Sequence, residues 1–552
     1  QTLDLNTNGF SGPIPPRIGR LGSLTYLDLS FNGFTSLPVE LGSLGSSLIS
    51  LDLSNNLIFG PAFHPGLLIN LTSLQYMDLS NNSITGPLPK EIGNMVSLVD
   101  LILSLNKISG PLPPELGLLT SLVSLTLTNN YIEGPLPQEI GNLHNLEKLD
   151  LSMNAITGPL PGTIGSLASL RILSVAENLL NGSLPSSLGN CTNLETLILS
   201  FNSISGLLPD TLAGLRASIL AFSAERNALS GPLPAWLGAW SRVNNLLLGS
   251  NSFTGGIIPE LGNCSSLTSL SLEDNHLVGA IPPELCNAIG LDTLSLQNNA
   301  LSGTISSGTF RRCRNLTEIH LDNNRLEGGI PDSLASLPSL VSIELAFNNF
   351  SGPIPEELWT NPANTLLGFE ASHNRLSGPI SPLIGSLTSL QHLGLSDNQL
   401  RGSIPKEIGK LVNLQGLFLG GNRLRGSVPA ELFGCTNLTT LDLGSNLHLS
   451  GPIPEEIGKL VNLECLVLSH NNLSGPIPPE ICLGFQQTSI PTSSYLQHHG
   501  YFDLSWNSLS GSIPRSIGNC IVLVELYLNE NRLSGAIPPE LSYLTNLTAL
   551  DL

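Results

Sequence analysis

Positive charge is scarce in this chain. Only 22 Lys and Arg stand against 42 Asp and Glu, giving a formal net charge of −20 over 552 residues. A nucleic-acid surface needs clustered basic side chains, so that class of partner is excluded. A basic protein partner would instead gain association rate from such a field. Aromatic residues make up only 5%, so any local concentration of them stands out. No run of eighteen apolar residues occurs, which leaves no segment fit to span a bilayer as a helix. No G-x-S-x-G, phosphate-loop, kinase or H-E-x-x-H signature is present. Glu–Glu pairs such as Glu356 and Glu357 recur only inside a repeated I-P-x-E phrase. The segment is therefore expected to bind rather than catalyse, with no cofactor. No C-x-x-C or Cys/His pair has metal-ligand spacing, and no metal site is expected.

What the chain does contain is one asparagine returning at almost constant spacing. It runs from Asn8, Asn32 and Asn56 through Asn299, Asn446 and Asn471 to Asn507 and Asn531. Most intervals are 24 residues, a few are 25 or 26, and one is 36. A fixed period in this range means stacked repeats, each burying its neighbour's apolar face. Within one repeat, Leu291, Leu294, Leu296 and Leu301 are expected to point inward, while Asp292, Thr293, Ser295 and Gln297 face out. That alternation reads as a short strand with one buried face. Asn299 then sits where the chain turns away, its amide placed to satisfy backbone groups that the turn would orphan. After it comes L-S-G-x-I-P: Gly352, Gly451 and Gly535 allow backbone angles other residues resist. Pro355, Pro454 and Pro538 hold an extended segment. About twenty-two such coils, at about 4.8 Å per rung, would make an arc roughly 100 Å long. The strand at Gln1–Leu5 leaves no room for a signal peptide, and Leu547, Leu550 and Leu552 begin a repeat that is not finished. Solenoids need polar caps, so the chain reads as an interior stretch of a longer protein, uncapped at both ends.

The phrase L-x-x-L-x-L-x-x-N-x-L-S-G-x-I-P resembles the plant form of the leucine-rich repeat. The resemblance implies an α/β solenoid, residues 1–552 as one superhelix. It would carry a parallel concave β-sheet, short second strands and 3-10 or helical returns. The stretch LQHHGYFDLSWNSLSGSIP, with FQQTSIP before it and LTNLTALDL after it, is similar to the Excess Microsporocytes (Extra Sporogenous Cells) receptor kinases. What the resemblance implies is the extracellular ligand-binding domain of a plant receptor-like kinase, on the outer side of the plasma membrane. Its ligand would be a small secreted cysteine-rich protein or peptide, and it would recruit a co-receptor of the somatic embryogenesis receptor kinase group. The alternative is a leucine-rich-repeat inhibitor of cell-wall-degrading enzymes, or a receptor-like protein without a kinase. Asn70, Asn81, Asn181, Asn190, Asn263, Asn315, Asn349, Asn437, Asn472 and Asn546 stand in N-x-Ser/Thr and are candidate glycosylation sites, some expected to be too buried to modify.

Departures from a repeat mark where a ligand footprint would be written. The outward slot four residues before the ladder asparagine is Asp in Asp28, Asp52, Asp78 and Asp442, but becomes His320, Glu344, Glu370, Gly394 and Phe418 in mid-chain. Phe347, His373, His392 and Asp397 flank it. The 36-residue interval holds an insertion at about 483–497, whose Gly, Pro, Ser and Thr predict a loop. Phe485, Gln487, Tyr495, His498, Tyr501 and Trp506, in or beside it, are candidate anchors, since aromatic residues favour interfaces. Five cysteines (Cys191, Cys264, Cys313, Cys435 and Cys520) share one inward slot, eleven residues before a ladder asparagine, and read as small buried apolar groups. Cys286 lies one coil from both Cys264 and Cys313, and Cys482 is related to Cys520 in the same way, leaving a bridge open in each case.

Overall fold

The computed structural model describes residues 1–360, 364–483, 485 and 499–552. Gln487, Tyr495 and His498, and nearly all of the expected loop, lie outside the described residues. The chain forms two compact units, Gln1–His276 and Leu277–Leu552, each built by the same rule.

In the first unit, three-residue strands run in parallel register from Thr2–Asp4 and Tyr26–Asp28 through to Ser269–Ser271. In the second they run from Thr293–Ser295 and Glu318–His320 to Ala549–Asp551. Between the first and last strands, the middle residue of each strand faces the core: Leu27, Leu51, Ile319, Leu441 and Leu466 are fully buried. Isoleucine at 319 fills the same place in its coil as leucine does in the others. Burying a side chain of this size contributes about 1.5–3 kcal/mol, and the repeat collects that gain once per coil.

Each strand ends in the asparagine turn. Asn446, fully buried, donates through Nδ2 to the carbonyls of Leu419 (3.0 Å), Leu443 (3.1 Å) and Gly444 (3.2 Å). Its Oδ1 accepts from the Leu424 amide at 3.0 Å. The same pattern recurs at Asn56, Asn106, Asn398 and Asn422, so one side chain joins the turn of its own coil to the coil before. A second short strand follows, as at His448–Gly451, where Gly451 has a φ of +85°, a left-handed value that favours glycine. Proline then fixes the entry to a 3-10 return, as Pro454 does for Glu455–Lys459. Among the described residues the one α-helix is Pro65–Leu68.

Both bridges that the sequence left open are formed, so Cys313 and Cys520 are more than small buried apolar groups. Cys286 is bonded to Cys313, and Cys482 to Cys520, each pair with Cα atoms 4.9 Å apart. Neighbouring coils lie one rung apart, within bridging range, whereas the two-rung separations between like slots exceed it. Cys191, Cys264, Cys435 and Cys465 are free and buried. Burial pushes the thiols of Cys191 and Cys264 up to about 11 and those of Cys435 and Cys465 up to about 12, so they are unreactive at neutral pH. Phe485, a candidate ligand anchor from the sequence, is fully buried with its ring 5.5 Å from that of Phe502. Its place is in the core, because the aromatic content of the insertion includes a side chain that the coil itself needs for packing. The sequons are more open than expected. None of the ten asparagines is buried: nine are exposed and Asn349 is half-buried.

Candidate ligand-binding site

In the second unit, strand register sets His320, Glu344, Glu370, Gly394, Phe418 and Asp442 side by side on successive strands. His320 and Phe418 have lost the small or acidic side chain of the repeat, and Glu344 and Glu370 carry a longer acid than the usual Asp. The residue just before each ladder asparagine adds a second column. It takes a left-handed φ in this region: 53° at Phe347, 55° at His373, 51° at Asp397. Asn, Asp and Gly tolerate such angles best, and a bulky side chain is disfavoured there.

The two columns close around a pocket of about 380 Å³, lined by Phe347, Glu370, Ser372, His373, His392, Ser396, Asp397, Phe418 and Asp442, with Ala346 at its edge. The Phe347 and His373 rings stack at 4.1 Å, 17° from parallel, and His373 Nδ1 lies 3.2 Å from Asp397 Oδ2. His392 is buried, with Nε2 2.7 Å from Glu370 Oε2 and its ring 5.2 Å from that of Phe418. Glycines leave the space for this arrangement. A Cβ on Gly394 would collide with the Glu370 carboxylate, and one on Gly416 would lie 2.7 Å from the Phe418 ring and 3.2 Å from His392 Nδ1. Gly394→Ala is therefore expected to turn Glu370 away from His392 at a cost of about 1–3 kcal/mol, the range for a buried polar group left unsatisfied. A urea midpoint equal to that of the unmodified protein would contradict it.

Electrostatics differ from group to group. Burial by itself would raise the Glu370 carboxyl, but hydrogen bonds from His392 and Ser372 outweigh it and hold the group below the usual carboxylate range. Burial, with Glu370 adding repulsion, raises Glu344, although Ser342 donates to it at 3.1 Å. Asp442 is pushed up to about 6, mainly by burial and further by Asp397 and Asp503, against a hydrogen bond from the Gly444 amide. A carboxyl raised in the folded state adds stability that is complete below its unfolded value near 4 and is lost as the pH rises through its folded value, here about 6. Asp442→Asn is thus expected to stabilise the fold at about pH 7 by about 1–2 kcal/mol and to leave it unchanged near pH 3. Thermal melts at the two pH values check this.

The structure gathers six residues singled out in the sequence, Phe347, Glu370, His373, His392, Asp397 and Phe418, into the pocket wall. His320 and Glu344 lie on the two preceding strands, His320 with Nε2 3.5 Å from Glu318. Tyr501 and Trp506 belong to a separate cluster nearer the C-terminus. There Trp506 stacks on His470 at 5.4 Å, and Tyr501 packs 5.7 Å from Tyr527. His499 has Nδ1 2.9 Å from Glu464 Oε2. Asp442 and Ser396 escaped the sequence reading: Asp442 carries the ordinary residue of its column, and Ser396 carries no distinguishing signal. Among the described residues no group of three or more His, Cys, Asp or Glu is placed to hold a metal ion, and no helix is long and apolar enough to cross a membrane.

Two family models, both described as leucine rich repeat, match the chain. One covers residues 22–84, 120–180 and 289–350. The other covers 193–215, 266–288, 389–411, 437–460, 462–483, 501–520 and 522–544. The leucine-rich repeat receptor protein kinase EMS1 of Arabidopsis thaliana is 50% identical over 64 residues, which is 12% of this chain and 5% of that protein. The match thus spans only a small part of the kinase's length. Among solved structures, the plant peptide hormone receptor RGFR1 in complex with RGF2 superposes with a TM-score of 0.90 at 31% identity, over 99% of this chain and 89% of that one. The Arabidopsis receptor kinase HAESA, in complex with the peptide hormone IDA and the co-receptor SERK1, gives 0.77 at 34% identity, over 94% and 88%.

Proposed function

The chain belongs to the leucine-rich-repeat family in its plant receptor form, and on that premise we propose that it is the extracellular ligand-binding domain of a receptor-like kinase. Its ligand is a small secreted cysteine-rich protein or peptide, which docks on the irregular strands of the second unit. Ligand and neighbouring coils together then present a surface to a co-receptor kinase of the somatic-embryogenesis type, bringing two kinase domains into reach of each other. The observation that carries this reading is the pocket. Six of the side chains that depart from the repeat on the outward face, Phe347, Glu370, His373, His392, Asp397 and Phe418, meet around one hollow. Likeness to the peptide hormone receptor RGFR1, and to HAESA with the peptide hormone IDA, supports the same reading.

The test is calorimetric titration of the chain with a panel of recombinant secreted cysteine-rich proteins and processed peptides. At least one is expected to bind with micromolar affinity or better. Phe347→Ala/Phe418→Ala should weaken it at least tenfold, about 1.4 kcal/mol. A panel without a binder, or a binder indifferent to the double substitution, overturns the proposal.

A further inference from the structure

Resting on the receptor reading, we propose that the pocket of the second unit takes an arginine side chain of the ligand. The walls are of two kinds, and the guanidinium group suits both. Glu370, Asp397 and Asp442 bring three carboxylates to one hollow, which favours a cation able to donate to several oxygens at once. Phe347 and Phe418 add aromatic faces, against which a planar, weakly hydrated guanidinium stacks better than a compact ammonium. Phe347 is 51% exposed, so its ring is open to a partner on the side not covered by His373. The Ser396 hydroxyl, buried in the pocket wall, makes no hydrogen bond among the described residues.

The size agrees. A volume of about 380 Å³ lies at the low end of the roughly 300–1,000 Å³ typical of ligand pockets, enough for one long side chain rather than a folded domain. Charge agrees as well. The chain carries −20 overall, and the upward push on Asp442 from Asp397 and Asp503 is repulsion that an entering cation would relieve.

The probe is N-acetyl-arginine-N-methylamide, compared with its citrulline and lysine counterparts and followed by the histidine ring signals of His373 and His392 in NMR. The arginine compound should bind at least tenfold more tightly than the neutral citrulline compound, and more tightly than the lysine compound. Asp397→Asn/Asp442→Asn should abolish the preference. Both changes keep the fold, since asparagine tolerates the left-handed angle at 397 and relieves a raised carboxyl at 442. Equal binding of arginine and citrulline, equal binding of arginine and lysine, absence of a saturable shift, or a preference that survives the double substitution each overturns the inference. If any of these occurs while Phe347→Ala/Phe418→Ala still weakens a ligand from the secreted panel, the receptor reading stands and only the side-chain assignment falls.

Discussion

Replacing Asn446 by leucine is expected to destabilise the coils around it by roughly 3–5 kcal/mol, from several buried polar groups each costing about 1–3 kcal/mol when left unpaired. Leucine has the same branched arrangement of side-chain heavy atoms as asparagine, so the polar contacts are the main loss. The Leu424 amide loses its acceptor, and the carbonyls of Leu419, Leu443 and Gly444 lose a donor. Asn446 has no exposed surface, so water does not replace what is removed. Because each coil contacts only its neighbours, the damage should stay local. Native-state hydrogen exchange is the appropriate measurement: amides of Gly416–Phe418, Thr440–Asp442 and Cys465–Val467 should exchange faster, with Tyr26–Asp28 unaffected. Unchanged protection near position 446 would show that the asparagine ladder decorates the turns without holding them.

Removing the bridge between Cys482 and Cys520, by alanine at both positions, is expected to cost roughly 3–4 kcal/mol through the entropy returned to the unfolded chain. The bonded residues are 38 apart, and the segment between them includes the insertion, so the bridge holds together the coils on either side of the longest interruption in the repeat. Cys435 provides the control. It is buried and unbonded, and its thiol donates to the Ile408 carbonyl at 3.1 Å, so Cys435→Ala should cost only about 1 kcal/mol, as for a small buried group. Urea unfolding followed by exchange at Tyr501–Asp503 and Glu525–Tyr527 separates the two. Equal losses would refute the chain-constraint account.

Whatever repeats was legible in the sequence. The buried leucines, the asparagine turns and the proline-led returns each recur many times, and one physical reason explains every copy. What depends on a single neighbour was not. Asp442 carries the same residue as Asp28 and Asp52, yet on adjacent strands it lies between Phe418 and Val467, whose apolar side chains keep water away. Asp28 lies between Asp4 and Asp52 and accepts from Ser30, Asn6 and Tyr26, which together offset burial and lower its carboxyl. Residue identity alone does not separate the two. Glu370 and His392 were both visible as departures from the repeat, but their pairing depends on Gly394 opposite Glu370, a relation between strands. The bridges turned on an offset of a few positions between adjacent coils. Phe485 misled because a scarce aromatic beside an insertion looks like an anchor even when its ring completes the core.

Ligand docking on the irregular strands of the second unit is tested most directly by a hydrogen-exchange footprint of the chain bound to a member of the secreted panel. Protection should rise at Ser342–Glu344, Gly368–Glu370, His392–Gly394 and Gly416–Phe418 and in the turns at Phe347, His373 and Asp397. Protection confined to the 3-10 returns such as Asp332–Ser336 and Lys406–Lys410, or to residues of the first unit, would contradict the account.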